Sequence, residues 1–166
     1  MQISWLLALS YWIHLLATIL WLGGIALLAL VGVPALRRGT VTENQWYSFQ
    51  RRFAPWANLS LILLLITGFF QMTNDTNYNG FLTIDSTWAW AMLLKHVAFG
   101  IMVLITAYVQ FLLFPAMDRL ALAAVKRPSL AEAEQLQLQQ REIVLLRINL
   151  ICAATVLLFT AVATAI

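Results

Sequence analysis

Four long apolar runs alternate with polar stretches along the 166-residue chain. They extend from about Trp5 to Leu36, from Phe53 to about Met72, from about Thr87 past Phe114, and from about Ile143 to Ile166. Each holds roughly 20 or more predominantly apolar residues, the length a helix needs to cross the hydrocarbon of a bilayer. Lipid offers no hydrogen bonds to the backbone, so each run must satisfy its own amides, which a helix does. The pattern predicts an all-α fold, an integral membrane four-helix up-down bundle. It forms one domain over residues 1–166, with helices near 4–36, 53–73, 87–125 and 130–165.

The polar stretches differ in kind. Asn74-Asp-Thr-Asn-Tyr-Asn-Gly80 is turn chemistry throughout. Ser129 and Glu132 form a capping-box pattern directly after Pro128, and Leu130, Leu136, Leu138, Ile143 and Leu146 carry a helix into the fourth run. The third run continues past Pro115 through Leu120, Leu122 and Val125. Helices three and four are therefore expected to project beyond the bilayer as a hairpin stalk, with Pro115 as a kink site.

Charge adds a direction. The first connection carries Arg37, Arg38, Arg51 and Arg52 against Glu43, and the third carries Arg119, Lys126, Arg127 and Arg141. The second, from Thr73 to Ser86, has Asp75 and Asp85 and no Lys or Arg. The positive-inside rule places both termini and the second loop outside, as in a bacterial inner (plasma) membrane protein. Trp5, Trp88 and Trp90 suit an outer aromatic belt, and Trp46 and Trp56 an inner one. Composition agrees, at 62% hydrophobic and 10% charged residues, which excludes a water-soluble class and leaves the lipid bilayer as the principal partner, with no nucleic acid. The first run is too long for a signal-peptide core and lacks a basic leader, so it reads as retained. The single Cys152 permits no internal disulfide.

The two halves of the chain echo each other. His14 precedes Pro34-Ala-Leu-Arg37, and His96 precedes Pro115-Ala-Met-Asp-Arg119 at nearly the same spacing. Asn58-Leu59 and Thr67 in the second run correspond to Asn149-Leu150 and Thr160 in the fourth. These matches suggest a tandem two-helix repeat with its pseudo-two-fold axis along the membrane normal. Helices one and three are then diagonal and parallel, and residues equivalent under the axis face each other at one depth.

His14 and His96 are the only histidines, and each lies well inside an apolar run. An ionisable side chain at membrane depth marks a functional site by default. A lone histidine more often just bonds a neighbouring helix; two at matched depth on parallel helices favour a shared ligand. The face of His14 carries Ser10, Tyr11, Ala17, Thr18 and Trp21. That of His96 carries Met92, Leu93, Gly100, Val103 and Ala107, with Gly100 leaving room for a macrocycle. Haem b, with His14 and His96 as axial metal ligands, is the first reading. Copper is the alternative, because Met72, Met92 and Met102 are soft thioethers in the same half of the bundle, although methionine is also an ordinary gap-filler. Zinc fits less well, since no Cys, Asp or Glu shares the histidines' depth. Lys95 either binds an acidic group of the ligand or snorkels to the interface.

The run His14-Leu-Leu-Ala-Thr-Ile-Leu-Trp21-Leu-Gly23-Gly24, ending Val33-Pro34-Ala35-Leu36-Arg37-Arg38, resembles the first helix of the copper-resistance protein D (CopD) membrane domain. Arg52-Phe53 leading into Thr67-Gly68, Leu93-Leu94-Lys95, and the Arg-x-x-Leu-Leu-Arg run before the fourth helix are similar too. That resemblance implies copper uptake across the inner membrane. The related HemJ-type protoporphyrinogen oxidases pair a first-helix His with a third-helix Lys and are linked to haem b; His14 and Lys95 stand at those positions, while His96 departs from both patterns. The expected function is that of a b-type cytochrome-like protein, exchanging electrons in the outer half of the membrane with a quinone or a redox partner protein. The alternatives are a HemJ-like oxidase, a CopD-like copper-handling protein and a non-catalytic assembly subunit. A homodimer is a further expectation.

Overall fold

A computed structural model describes residues 5–76, 78, 80, 86–123 and 128–165. Four long helices run antiparallel in sequence order. α1 covers Trp5–Arg37, α2 Glu43–Thr73, α3 residues 87–123 and α4 Pro128–Ala165. All four contain stretches long and apolar enough to cross a membrane, and no strand occurs among the described residues. Their outward faces are rich in exposed Leu, Ile, Val and Phe, as a lipid-facing surface requires.

α1 packs mainly on α2, and α3 mainly on α4. The two hairpins then meet through α1 and α4 and through polar contacts between α2 and α3, such as the reciprocal 2.8 Å bonds of the Asn58 and Gln110 amides. α1 and α3 are thus diagonal, as the repeat requires.

The prolines give the repeat its clearest structural sign. A π-helical turn, Leu27–Gly32, ends two residues before Pro34, and another, Val109–Leu113, ends two residues before Pro115. Proline lacks an amide proton and its ring crowds the carbonyl four residues back. Those carbonyls, of Leu30 and Phe111, lie within the π turns, where the wider winding relieves the clash. The kink expected at Pro115 is therefore a π turn, matched at Pro34.

α2 begins at Glu43 rather than Phe53, and its cap explains why. Thr42 Oγ1 accepts from the Gln45 amide, and the Gln45 side chain accepts from the Thr42 amide, a complete capping box. The added turns alter the stalk. Glu43 meets Gln135, and Arg51 pairs with Asp118. Tyr47 Oη donates to Asp118 at 2.8 Å and also lies 3.1 Å from the Phe114 carbonyl. The expected two-helix stalk is thus braced by a third helix. Trp46, assigned above to an inner aromatic belt, is buried against α4 with Leu28, Val33 and Ile143. Trp88 is likewise buried, packed with Met72, Ala91 and Ala163. Trp5, Trp56 and Trp90 are exposed as a belt requires. Lys126, Arg127, Asp85 and the Ser129–Glu132 capping box lie outside the described residues and side chains.

Two glycines set the closeness of α1 and α2. A β-carbon on Gly24 would stand 1.9 Å from the Phe53 ring, and one on Gly32 would stand 2.5 Å from the Trp46 ring. Both aromatic side chains seat directly on the α1 backbone.

Candidate functional site

Between the two hairpins, in the half of the bundle that holds Trp88 and the end of α2, lies a cavity of about 450 Å³. All four helices line it, and it reaches Asp75 and Thr76 just beyond α2. α1 contributes Tyr11, His14, Thr18 and Trp21; α3 contributes Met92, Lys95, His96, Phe99 and Met102. Within each set, residues three, four and seven apart fall on one helical face, which is why the periodicity brings them together.

Tyr11, His14, Trp21, Lys95 and His96 therefore surround one space. Gly100 does not line it, and a β-carbon there would meet nothing within 4 Å. The expected slot at Gly100 is corrected: the cavity-facing row on α3 passes through Phe99 and Met102, and the room comes from the loose meeting of the hairpins. Cys152 also stays outside the cavity, packed near Trp21 and Met102.

The hydrogen bonds of the histidines fix their chemistry. His14 Nδ1 lies 2.7 Å from Thr67 Oγ1. Thr67 gives its own hydroxyl proton to the Leu63 carbonyl at 2.5 Å. A hydroxyl has a single proton, so Thr67 accepts from His14, and His14 carries its proton on Nδ1. His96 Nδ1 lies 2.6 Å from the Met92 carbonyl, which can only accept. His96 carries its proton on Nδ1 as well. In each neutral ring Nε2 is then left with a bare lone pair. This is the form that ligates a metal, with the other nitrogen oriented by an oxygen acceptor.

The donor set around these rings is soft. Met72, Met92 and Met102 all line the cavity, and Met72 and Met102 are buried. No group of three or more His, Cys, Asp or Glu residues capable of holding a metal occurs among the described residues. Two imidazole nitrogens and three thioethers match the preferences of Cu(I) better than those of zinc or calcium.

The residues that sequence reading undervalued are the positioning ones. Thr67 appeared as a repeat marker and in the family resemblance but not as a site residue, yet its hydroxyl orients His14. Its counterpart Thr160 lines the cavity and bonds the Val156 carbonyl at 2.7 Å, the same backward bond that Thr67 makes. His96 turns instead to the carbonyl of its own helix, so the repeat's symmetry breaks at this bond. Phe69 packs beside His96 with ring centroids 5.9 Å apart. Gln71 ties α2 to the Ser10 carbonyl of α1 at 3.2 Å.

The model of the family CopD, copper resistance protein D, matches residues 47–163. The chain belongs to the copper resistance protein D family. The match takes in Thr67, the three methionines, Lys95 and His96. His14 and its Trp-x-Gly-Gly run, which resemble the family's first helix, lie before it. No curated protein and no solved structure matches the chain. Membership associates this CopD-family chain with copper handling in a membrane. It lends no support to haem, iron or oxidoreductase chemistry.

Proposed function

We propose that this CopD-family protein binds Cu(I) in the cavity between its hairpins, through His14, His96 and the cavity methionines, as a step in moving copper into or across the membrane. One observation carries the reading: each histidine sets its Nδ1 against an oxygen, Thr67 Oγ1 at 2.7 Å and the Met92 carbonyl at 2.6 Å, in a cavity that three methionines also line, an arrangement that favours Nε2 as the ligand atom. Lys95 lines the same cavity. Its positive charge opposes a second cation and suits an anionic companion such as chloride or a carboxylate of a delivering partner. By the positive-inside rule the cavity belongs to the outer half of the membrane, so copper enters from outside.

The purified full chain, titrated anaerobically with Cu(I) against a chromogenic chelator, is expected to bind one ion, with X-ray absorption showing mixed nitrogen and sulfur ligation. His14→Ala and His96→Ala should each abolish tight binding. Loss of neither would overturn the site. A second reading, haem b with the same two axial ligands, draws on the same tautomers. A visible spectrum separates the two, since a sharp low-spin haem absorption lost in both variants would replace copper with haem.

A further inference from the structure

Below the histidine cavity, towards the turns bearing Arg37 and Arg51, lies a second cavity of about 80 Å³. Glu142 and Asn149 of α4 line it, with Gln50 of α2, Thr106 and Gln110 of α3, and Trp21 of α1. Glu142 is only 3% exposed and Asn149 only 6%. Glu142 Oε2 accepts from Trp46 Nε1 at 3.4 Å. Its Oε1, the Asn149 Oδ1 and the Trp21 Nε1 are all buried and make no hydrogen bond among the described residues.

Three unpaired polar atoms along one small cavity call for an explanation, because buried polar groups are ordinarily satisfied. The cavity is walled mainly by apolar side chains, with Gln50, Thr106, Gln110, Glu142 and Asn149 as its polar groups; at about 80 Å³ it is large enough to admit water, which needs a probe-sized space and two or more polar partners. Among the described residues, none lining this cavity carries a counter-charge for Glu142. α2 presents Trp46 and Gln50 to it, α1 presents Ile25 and Leu28, and α3 presents Thr106, Gln110 and Phe114. On α4 itself Arg141 and Arg147 are exposed, and neither lines this cavity. Burying a lone carboxylate among such neighbours is costly. The few polar groups of this cavity are hydroxyl, amide and carboxyl, with no thioether or imidazole, so it does not suit the Cu(I) of the softer cavity above. Trp21 lines both cavities, and its indole N–H is buried without a hydrogen bond among the described residues.

We propose that Glu142 is a proton-exchanging carboxyl in the bundle interior, joined through the hydrated cavity beside Asn149 and Trp21 to the histidine cavity. The step is a plain transfer: the carboxyl O–H bond breaks, the proton passes to water in the cavity, and the carboxylate takes one back from the other side. The inference holds whichever metal occupies the histidine cavity. It gives the protein a carrier for protons that could move in exchange for a bound cation.

Infrared spectroscopy of the full chain in nanodiscs tests this. A protonated-carboxyl C=O band is expected that shifts with ¹³C-glutamate labelling, shifts on transfer from H₂O to D₂O, and disappears as pH is raised. Glu142→Gln should remove it, and Glu142→Asp should displace it while keeping it titratable. Asn149→Leu should slow its deuterium exchange at least tenfold. The labelled wild type assigns the band to glutamate even if a variant fails to fold. Absence of a titrating glutamate band, or its persistence in folded Glu142→Gln, would overturn the proposal. So would unchanged exchange in Asn149→Leu, or loss of the band on adding Na⁺ at constant pH, which would make the site a metal-cation site.

Discussion

Thr67 Oγ1 accepts the His14 Nδ1 proton at 2.7 Å because its own proton is committed to the Leu63 carbonyl. The bond crosses from α2 to α1, so one hydroxyl fixes both the orientation of the imidazole and the nitrogen it offers to a ligand. Removing an outer-shell partner of this type typically costs about 10- to 100-fold in metal affinity. Thr67→Val, which keeps the shape and loses the hydroxyl, should weaken Cu(I) binding by that order, whereas Thr67→Ser should stay close to wild type. Chelator competition on the two variants measures it. Equal affinity in Thr67→Val and wild type would show that His14 is not oriented through this bond.

How much of this was legible in the sequence differs from feature to feature. The four spans were, since twenty apolar residues in a row have few other uses. That His14 and His96 reach one cavity was readable from matched depth and the Pro34 and Pro115 echoes; their sharing of a ligand stays a proposal. The early start of α2 was missed, although Thr42 and Gln45 have the spacing of a capping box. Residues 43–52 carry Glu43, Gln45, Gln50, Arg51 and Arg52, and hydropathy alone makes such a stretch a loop. The burial of Trp46 and Trp88 was also hidden. A tryptophan near a span end suits a lipid interface or a helix contact equally, and only the neighbouring helix decides.

The methionines separate a copper site from a haem site. Met102 is 2% exposed and Met72 is 7% exposed, so both are packed and both line the cavity. A Met-to-Leu exchange nearly conserves volume and usually costs under about 1.5 kcal/mol of stability. Met72→Leu and Met102→Leu should therefore leave the thermal midpoint almost unchanged, while at least one lowers Cu(I) affinity roughly tenfold or more and lowers the sulfur contribution to the X-ray absorption spectrum. If both leave affinity and spectrum intact, the thioethers only fill space.

Tyr47 links α2 to α3 at the end of the bundle that carries the arginines. Its hydroxyl donates to Asp118 and lies against the Phe114 carbonyl, its ring stands edge-on to Phe114 at 5.5 Å, and the Arg51 guanidinium lies 4.8 Å above it. Tyr47→Phe keeps the ring contacts and loses the hydrogen bonds, a change of about 0.5–1.5 kcal/mol. Tyr47→Ala loses both and should be clearly worse. Unfolding in detergent with added denaturant gives the comparison; a Phe variant as damaged as the Ala variant would place the whole effect on the hydroxyl.

The contact of Gly24 with Phe53 allows a sharper test of helix packing. A β-carbon on Gly24 would fall within 2.6–2.7 Å of two edge carbons of the ring and 1.9 Å of its tip, so something must move. Phe53 also packs into two of the buried clusters, which leaves it little freedom to turn away. Overpacking of this kind costs typically 1–3 kcal/mol, and Gly24→Ala should lose stability on that scale by separating α1 from α2. A smaller partner should relieve the clash: in a Phe53→Leu background, the same Gly24→Ala change should cost markedly less, giving a positive coupling in a double-mutant cycle. Gly23 serves as the control, since a β-carbon there meets nothing within 4 Å and alanine at that position should be neutral or slightly favourable in a helix. Additive costs for Gly24→Ala and Phe53→Leu would mean that α1 and α2 do not meet through this pair.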